Sequence, residues 1–292
     1  APYFLDSSAT STFLKSVVAH EVAHQWWGNR IANANRRNYW FVESLAEYFS
    51  AVYMEYAHGW SSYMDQVEGW RRSILESTLK GSVQNADTMF AGEWGGGRSL
   101  SPRTAAIYNK GPYAFHILRE TFKGQGPRGN DAADKKFFDF LKQATQELAE
   151  KREIVTLDIQ RAAEKGLGGI DQNGQPYTVD LSWFFDQWIR GSGLPQLRLD
   201  WTSRPAEDGG HVLEGTIYQR VMLGRTDQPL EGRVYRGVVD LKVVAKGGPY
   251  LKRLVINGPE TPVQLKLPEK PVEVLLNDEG AMLALDTTYG KW

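Results

Sequence analysis

Three side chains that can bind a metal recur at a spacing suited to one ion. His20 and His24 stand in the pentapeptide H-E-x-x-H, and Glu43 follows His24 after a gap of eighteen residues. On a helix, positions i and i+4 share one face, with Cβ atoms about 5–6 Å apart. Two imidazoles at this spacing can bind one zinc ion at about 2.0–2.1 Å, and Glu43 can supply a third ligand. Three protein ligands leave a fourth position open, which predicts a catalytic zinc site.

Glu21 lies directly after the first histidine, where its carboxylate can reach a water at the metal rather than the metal itself. A carboxylate placed there can take a proton from that water as a general base. With the three ligand candidates, Glu21 indicates a zinc-dependent peptidase. The plain alternative is that His20 and His24 are packed core histidines and that Glu43 is a solvated carboxylate.

Two helices are expected to position these residues. The run Tyr39–Tyr56 holds good helix formers and neither glycine nor proline, so Glu43 falls in the first turn of a predicted helix. Apolar residues recur at helical spacing around the histidines, and we expect them to bury one side of the first helix. These apolar residues are Phe13, Leu14, Val17, Val18 and Val22.

Other classes of zinc site fit the sequence less well. The metzincin pattern requires a glycine three residues after the second histidine and a third histidine three residues further on. Trp27 and Arg30 occupy these two positions. The chain contains no cysteine, so zinc sites with thiolate ligands are excluded.

The chain resembles the M1 family of zinc aminopeptidases in three separate motifs. Residues 18–29 (VAHEVAHQWWGN) are similar to the active-site helix of that family. Residues 40–48 (WFVESLAEY) are similar to its W-L-N-E-G-x-A-x-Y segment, with Val42 and Ser44 in place of the usual Asn and Gly. Residues 108–111 (YNKG) resemble its Y-x-K-G motif. The resemblance implies one zinc ion at the predicted site and a role for Tyr108, whose hydroxyl would donate a hydrogen bond to the oxyanion.

The resemblance also implies a multi-domain fold of α and β parts. We expect a mainly α-helical, thermolysin-like catalytic domain over residues 1–194 and a β-sandwich over residues 195–292. The sequence patterns agree, because helical periodicity dominates before residue 195 and short alternating segments follow it. Helices are predicted at residues 63–80, 135–151, 156–165 and 181–190, and strands at residues 196–201, 211–220, 233–245, 251–256, 263–267 and 272–276.

One family motif has no counterpart in this sequence. Family members carry G-x-M-E-N upstream of the zinc helix, and its glutamate binds the free amino group of the substrate. We therefore expect a fragment that starts inside the catalytic domain and would pack against a missing N-terminal domain. Such a fragment is expected to bind zinc, to hydrolyse amino-acid amides poorly and to expose apolar surface.

The composition of the chain limits the classes of partner that it is expected to bind. The net charge is −1, with 34 basic and 35 acidic residues, which gives no support to binding of nucleic acid or an anionic membrane. No apolar run approaches the roughly 18–20 residues that span a bilayer. The function expected is removal of N-terminal amino acids from peptides. A zinc epoxide hydrolase of the same family and a non-catalytic scaffold are the alternatives, and the compartment stays open.

Overall fold

The computed structural model describes residues 8–79, 106–125, 131–222 and 229–289 of the chain. Helices dominate the first part of these ranges and strands the last part, so the architecture is mixed α and β. Three consecutive glycines predict a loop at residues 92–101, and this segment lies outside the described residues. None of the described helices combines the length and apolar character that crossing a bilayer requires.

The helices begin and end close to the predicted positions. The predicted second helix is confirmed and carries Glu43 in its first turn. A π-helical turn at Ala106–Lys110 leads directly into a helix that the sequence patterns did not predict, and a second π-helical turn at Asp186–Arg190 follows the last helix. The helices are α1 (Ser8–Ala23), α2 (Trp40–His58), α3 (Trp60–Leu79), α4 (Gly111–Lys123), α5 (Asp131–Lys151), α6 (Thr156–Leu167) and α7 (Ser182–Phe185).

The chain divides into two compact units. Unit 1 comprises residues 1–116 and 135–191, and unit 2 comprises residues 117–134 and 192–292. Helix α2 forms the centre of unit 1, because apolar side chains around most of its circumference are buried. A helix that is apolar on most sides can only be stable when other elements surround it.

Hydrogen bonds fix the start of α2 within unit 1. The indole Nε1 of Trp40 donates to Thr156 Oγ1 at 2.9 Å. Thr156 in turn donates from its backbone N and from Oγ1 to Asn38 Oδ1, both at 2.8 Å. These three residues are buried, so each polar group has a partner where water is excluded. The first turn of α2, which contains Glu43, is therefore held in one place.

The apolar stripe of α1 is not buried, contrary to the prediction. Phe13 is 66% exposed and Val18 is 61% exposed, and Val17 and Val22 are exposed as well. The side of α1 that carries His20 faces α2, whereas Leu14, Val18 and Val22 border an open groove of about 790 Å³ between α1, α2 and α5. Helical periodicity shows that these residues share a face, and it carries no information on what covers that face.

Unit 2 contains two sheets, and all but one of their described strand pairs are antiparallel. One sheet has four strands in the order β11-β5-β6-β9, and the other has three in the order β10-β7-β8. All six predicted strands are present, and β11 was not predicted. The strands of unit 2 are β5 (Leu194–Pro205), β6 (His211–Met222), β7 (Gly237–Ala245), β8 (Gly248–Ile256), β9 (Glu260–Leu267), β10 (Glu273–Leu276) and β11 (Leu285–Tyr289). Unit 1 contains two short two-stranded pairs, β1 (Ala32–Asn33) with β2 (Glu153–Ile154) and β3 (Gly169–Ile170) with β4 (Pro176–Tyr177).

A buried ionic network holds the helical part of unit 2 to its sheet. Glu120 of α4 accepts from Arg253 of β8 at 2.6 Å and from Lys123 at 3.0 Å. Arg253 also lies 3.3 Å from Asp240 of β7. Asp134 binds Lys123 at 3.2 Å and completes the ionic network. Buried charges are stable only when they are paired, so the fold of unit 2 requires these contacts to form.

Candidate metal centre

Helices α1 and α2 bring His20, His24 and Glu43 together. The two Nε2 atoms of the histidines lie 3.1 Å apart. Glu43 Oε2 lies 3.4 Å from Nε2 of His20 and 3.4 Å from Nε2 of His24. The three residues are the group in the described part of the chain whose ligand atoms converge closely enough to hold one metal ion.

The shape of this triangle suits a small tetrahedral ion. Ligands at about 2.0–2.1 Å from a tetrahedral zinc are separated from each other by about 3.3–3.4 Å. The observed separations of 3.1, 3.4 and 3.4 Å are close to that value. The imidazole planes of His20 and His24 are inclined at 82°, so their Nε2 lone pairs approach the same point from different directions. The donor set therefore fits zinc.

Each histidine is oriented by a hydrogen bond at its other ring nitrogen. Nδ1 of His20 lies 2.9 Å from Glu47 Oε2, and Nδ1 of His24 lies 2.9 Å from the carbonyl oxygen of Trp27. Both partners are acceptors, so each Nδ1 carries a proton and Nε2 is the ring nitrogen left for a metal. The tautomer of both rings is therefore the one that a metal requires at Nε2.

Gly28 permits the turn that places the Trp27 carbonyl beside His24. Its φ is +124°, a backbone conformation that side chains disfavour. A Cβ atom at this position would lie 3.1 Å from Val42 Cγ1 and 3.4 Å from His24 Nδ1. Glycine thus lets the chain leave α1 sharply without disturbing the imidazole.

The second oxygen of Glu43 is also occupied. The hydroxyl of Tyr39 donates to Glu43 Oε1, one helical turn away. Burial alone would raise the pKa of Glu43, but hydrogen bonds from His20, Tyr39 and Tyr108 outweigh it and lower the pKa from 4.5 to about 2. The carboxylate is consequently ionised and available as a ligand at neutral pH.

The charge of the site makes His20 unusually basic when no metal is bound. Burial would lower the pKa of His20, but hydrogen bonds to Glu43 and Glu47 and the charges of these carboxylates raise it from 6.5 to about 9. A site that attracts a proton this strongly has a negative electrostatic potential. The same potential favours binding of a divalent cation.

Tyr108 lies beside the three ligand candidates. It belongs to the π-helical turn, and its ring stacks on that of His20 with centroids 6.2 Å apart. Burial and a hydrogen bond to Glu43 raise the pKa of the phenol well above its ordinary value, so the hydroxyl keeps its proton at neutral pH. The turn is anchored to α2, because Ser44 Oγ donates to the carbonyl oxygen of Ile107 at 2.8 Å.

Glu21 lies on α1 next to His20 and is exposed to solvent. Glu47 and Tyr39 also contact the ligand candidates, although no sequence motif predicted these contacts. Both lie four residues from Glu43, one on each side along α2, and helical spacing places all three on one face. That spacing was the signal available in the sequence.

Comparison with known proteins agrees with this geometry. Residues 4–95, which contain all three ligand candidates, match the sequence model of the Peptidase family M1 domain. This segment is similar to peptidase family M1. Leucine aminopeptidase 2 of Ajellomyces capsulatus is 24% identical over 183 residues, which cover 61% of this chain and 26% of that protein. Leucine aminopeptidase 2 of Aspergillus niger is 25% identical over 181 residues, which cover 61% of this chain and 27% of that protein.

A third M1 relative matches a shorter stretch with higher identity. The leukotriene A-4 hydrolase homolog of Botryotinia fuckeliana is 36% identical over 66 residues, which cover 22% of this chain and 10% of that protein. The matched regions thus span about a quarter or less of the length of these curated relatives.

Proposed function

We propose that this chain carries the metal centre of a zinc-dependent peptidase that removes N-terminal amino acids from peptides. The observation that supports it is the triangle of ligand atoms from His20, His24 and Glu43, inside a segment of peptidase family M1. The leucine aminopeptidase names of two relatives indicate the kind of substrate. In this proposal residues 1–194 form a thermolysin-like domain and residues 195–292 a β-sandwich.

In this proposal, different residues around the centre carry out different steps of peptide hydrolysis. Zinc bound by the triangle would polarise the substrate carbonyl and lower the pKa of a water to about 7. Glu21 takes a proton from the attacking water and later passes it to the leaving amine. The Tyr108 hydroxyl, which keeps its proton, donates to the carbonyl oxygen as negative charge develops there.

The two alternative functions gain no specific support. A scaffold that had lost catalysis would be expected to lack a ligand or Glu21, and all four residues are present. Nothing in the described residues favours an epoxide over a peptide as substrate. The peptidase proposal therefore accounts for more of the site.

Zinc binding is the first test of the proposal. Elemental analysis of the purified chain after dialysis against zinc is expected to show one ion per chain. Replacing His24 with Ala is expected to abolish binding, because two ligands hold zinc poorly. The exposed His58 provides a matched control, since His58→Ala should leave the zinc content unchanged. Equal zinc content in wild type and His24→Ala would contradict the assignment.

The role of Glu21 is tested separately from zinc binding. The Glu21→Gln variant is nearly isosteric and cannot accept the proton, so it should bind zinc normally and lose about 10²–10⁴-fold in turnover of a fluorogenic amino-acid amide. Turnover within about threefold of wild type would show that another group is the base.

A further inference from the structure

Glu47 occupies a position from which it can control one metal ligand. Its Oε2 lies 2.9 Å from Nδ1 of His20, on the side of the ring opposite to the converging Nε2 atoms. It is therefore placed to bind the ligand rather than the metal. Because an ionised carboxylate only accepts hydrogen bonds, this contact keeps the proton on Nδ1.

The two histidines receive different kinds of partner. His24 donates from Nδ1 to the neutral carbonyl of Trp27, whereas His20 donates to the charged carboxylate of Glu47. A hydrogen bond to an ionised acceptor is roughly twice as strong as one to a neutral acceptor. It also pushes electron density onto the imidazole and makes Nε2 a better metal ligand. His20 should consequently be the stronger of the two nitrogen ligands.

Glu47 is itself held from a third helix. The indole Nε1 of the buried Trp70, on α3, donates to Glu47 Oε1 at 3.4 Å. The chain of contacts runs from Trp70 through Glu47 to His20, so α3 takes part in orienting a ligand on α1. Glu47 shares its helix face with Glu43, and α2 thus supplies both a metal ligand and the group that orients another ligand.

We propose that Glu47 is a positioning residue of the metal centre, which fixes the tautomer and orientation of His20 and is itself fixed by Trp70. This inference rests on the proposed function, since it concerns the affinity of the same site for zinc. Partners of this kind typically contribute about 10–100-fold to metal affinity. The role of Glu47 is distinct from ligation, because His20 Nδ1 lies between its carboxylate and the triangle.

The first measurement is zinc affinity of the 292-residue chain by competition with a chromogenic chelator. Glu47→Ala should weaken zinc binding by about 10–100-fold. Glu47→Gln keeps an acceptor oxygen without the charge and should fall between Ala and wild type. Trp70→Phe keeps an aromatic ring at this position and loses the indole N–H donor. Its effect should be smaller than that of Glu47→Ala. The exposed Glu76 on α3 provides the control, and Glu76→Gln should match wild type.

The second measurement separates positioning from general loss of structure. The chain contains five histidines, so the ring nitrogens can be followed by NMR with ¹⁵N-labelled histidine. In the zinc-loaded wild type, His20 should show a proton on Nδ1 that exchanges slowly with water. In Glu47→Ala this proton should exchange quickly, while the corresponding signal of His24 should stay unchanged, because its partner is the Trp27 carbonyl.

The outcomes distinguish this inference from the proposed function. Wild-type affinity in both Glu47 variants would overturn the role of Glu47 and leave the zinc centre standing. Weaker zinc binding with an unaltered His20 Nδ1 proton would also overturn it, since Glu47 would then act only through the fold. A wild-type chain without affinity for zinc would overturn the proposed function and this inference together.

Discussion

At the scale of single residues, the centre consists of groups whose protonation states are set by their neighbours. The hydrogen bonds to His20, His24 and Glu43 hold these side chains so that one ligand atom of each lies near a common point. Two of these groups have strongly shifted pKa values, because each ionisable side chain lies within reach of an opposite charge. Metal affinity and pH are consequently linked at this site.

Zinc affinity should rise with pH up to about 9. The pKa of metal-free His20 is raised from 6.5 to about 9, so below pH 9 this residue holds a proton that zinc must displace. The apparent dissociation constant for zinc should increase about tenfold for each pH unit as the pH falls from 9 to 7. Competition titrations at several pH values test this, with release of about one proton per zinc at pH 7. A constant affinity over that range would contradict the assigned pKa.

The same shift has the opposite consequence for the metal-free fold. The folded pKa of His20 lies above the unfolded value, so protonation of His20 stabilises the folded chain below about pH 6.5. That contribution disappears as the pH rises through 9. Metal-free protein should therefore lose stability over the interval in which zinc binding improves, and denaturation curves with a chelator present measure this.

Replacing Tyr108 with Phe should lower kcat and leave KM nearly unchanged. The hydroxyl meets more negative charge in the transition state than in the substrate carbonyl, so its loss falls on turnover. The expected decrease is about 10²–10³-fold. Tyr56 is 90% exposed, and Tyr56→Phe is the matched control. A change mainly in KM would make Tyr108 a substrate-binding residue instead.

At the scale of elements, α2 connects the metal ligand to the turn that carries Tyr108. Ser44 follows Glu43 directly, and its hydroxyl donates to the carbonyl of Ile107, the residue before Tyr108. Both residues are buried, so that carbonyl has no access to water as a substitute partner. This hydrogen bond thus helps to set the position of the tyrosine relative to Glu43.

Removing this hydrogen bond should loosen the turn. Ser44→Ala leaves a buried carbonyl without its donor, which costs about 1–3 kcal/mol of stability. Amide hydrogen exchange over residues 106–110 should accelerate more than exchange in the rest of unit 1. Ser61 on α3 is exposed, and Ser61→Ala should change neither stability nor exchange. Unaltered exchange in the turn of Ser44→Ala would show that other contacts hold it.

At the scale of the whole molecule, unit 2 depends on charges buried among its strands and helix. Arg253 is 4% exposed and binds Glu120 at 2.6 Å. Arg253→Met removes one member of a buried ionic network, which should cost about 3–5 kcal/mol of unfolding free energy. The double variant Glu120→Gln/Arg253→Met should be less destabilised than Arg253→Met alone. Denaturant unfolding followed by circular dichroism measures both.

A surface pair in the same unit provides the comparison for this prediction. Lys266 pairs with Asp208, and both side chains are mostly exposed. Lys266→Met should therefore leave the unfolding free energy nearly unchanged. Equal effects of Lys266→Met and Arg253→Met would indicate that burial does not determine the strength of these ion pairs.

Regular periodicity and short motifs carried most of what the sequence could predict. The H-E-x-x-H spacing predicted a shared helix face, and the structure places His20 on α1 and His24 directly after its last residue, with Nε2 atoms 3.1 Å apart. Strand β11 escaped prediction, because it is a short parallel partner of β5 with an irregular register. Helix α4 begins with Gly-Pro, which reads as a turn rather than a helix.

The rest depended on how elements rotate against each other. Helical spacing placed Glu47 near Glu43, but only the packing of α1 on α2 shows that Glu47 meets the ring of His20. The exposed stripe of α1 illustrates the same limit, since a pattern of apolar residues specifies a face and not its neighbour. Contacts between distant segments, such as Ser44 with Ile107, leave no local signal in the sequence.

The bond from Tyr39 to Glu43 also bears on which metal the centre prefers. With one carboxylate oxygen occupied by the phenol, Glu43 offers a single oxygen, and the full donor set is two nitrogens and one oxygen. Calcium requires six to eight oxygen ligands and magnesium a nearly ideal octahedron, so neither finds its coordination shell here. Imidazole-rich sites suit zinc, copper, nickel and iron instead, so the donor set that Tyr39 leaves at Glu43 favours these cations over calcium and magnesium.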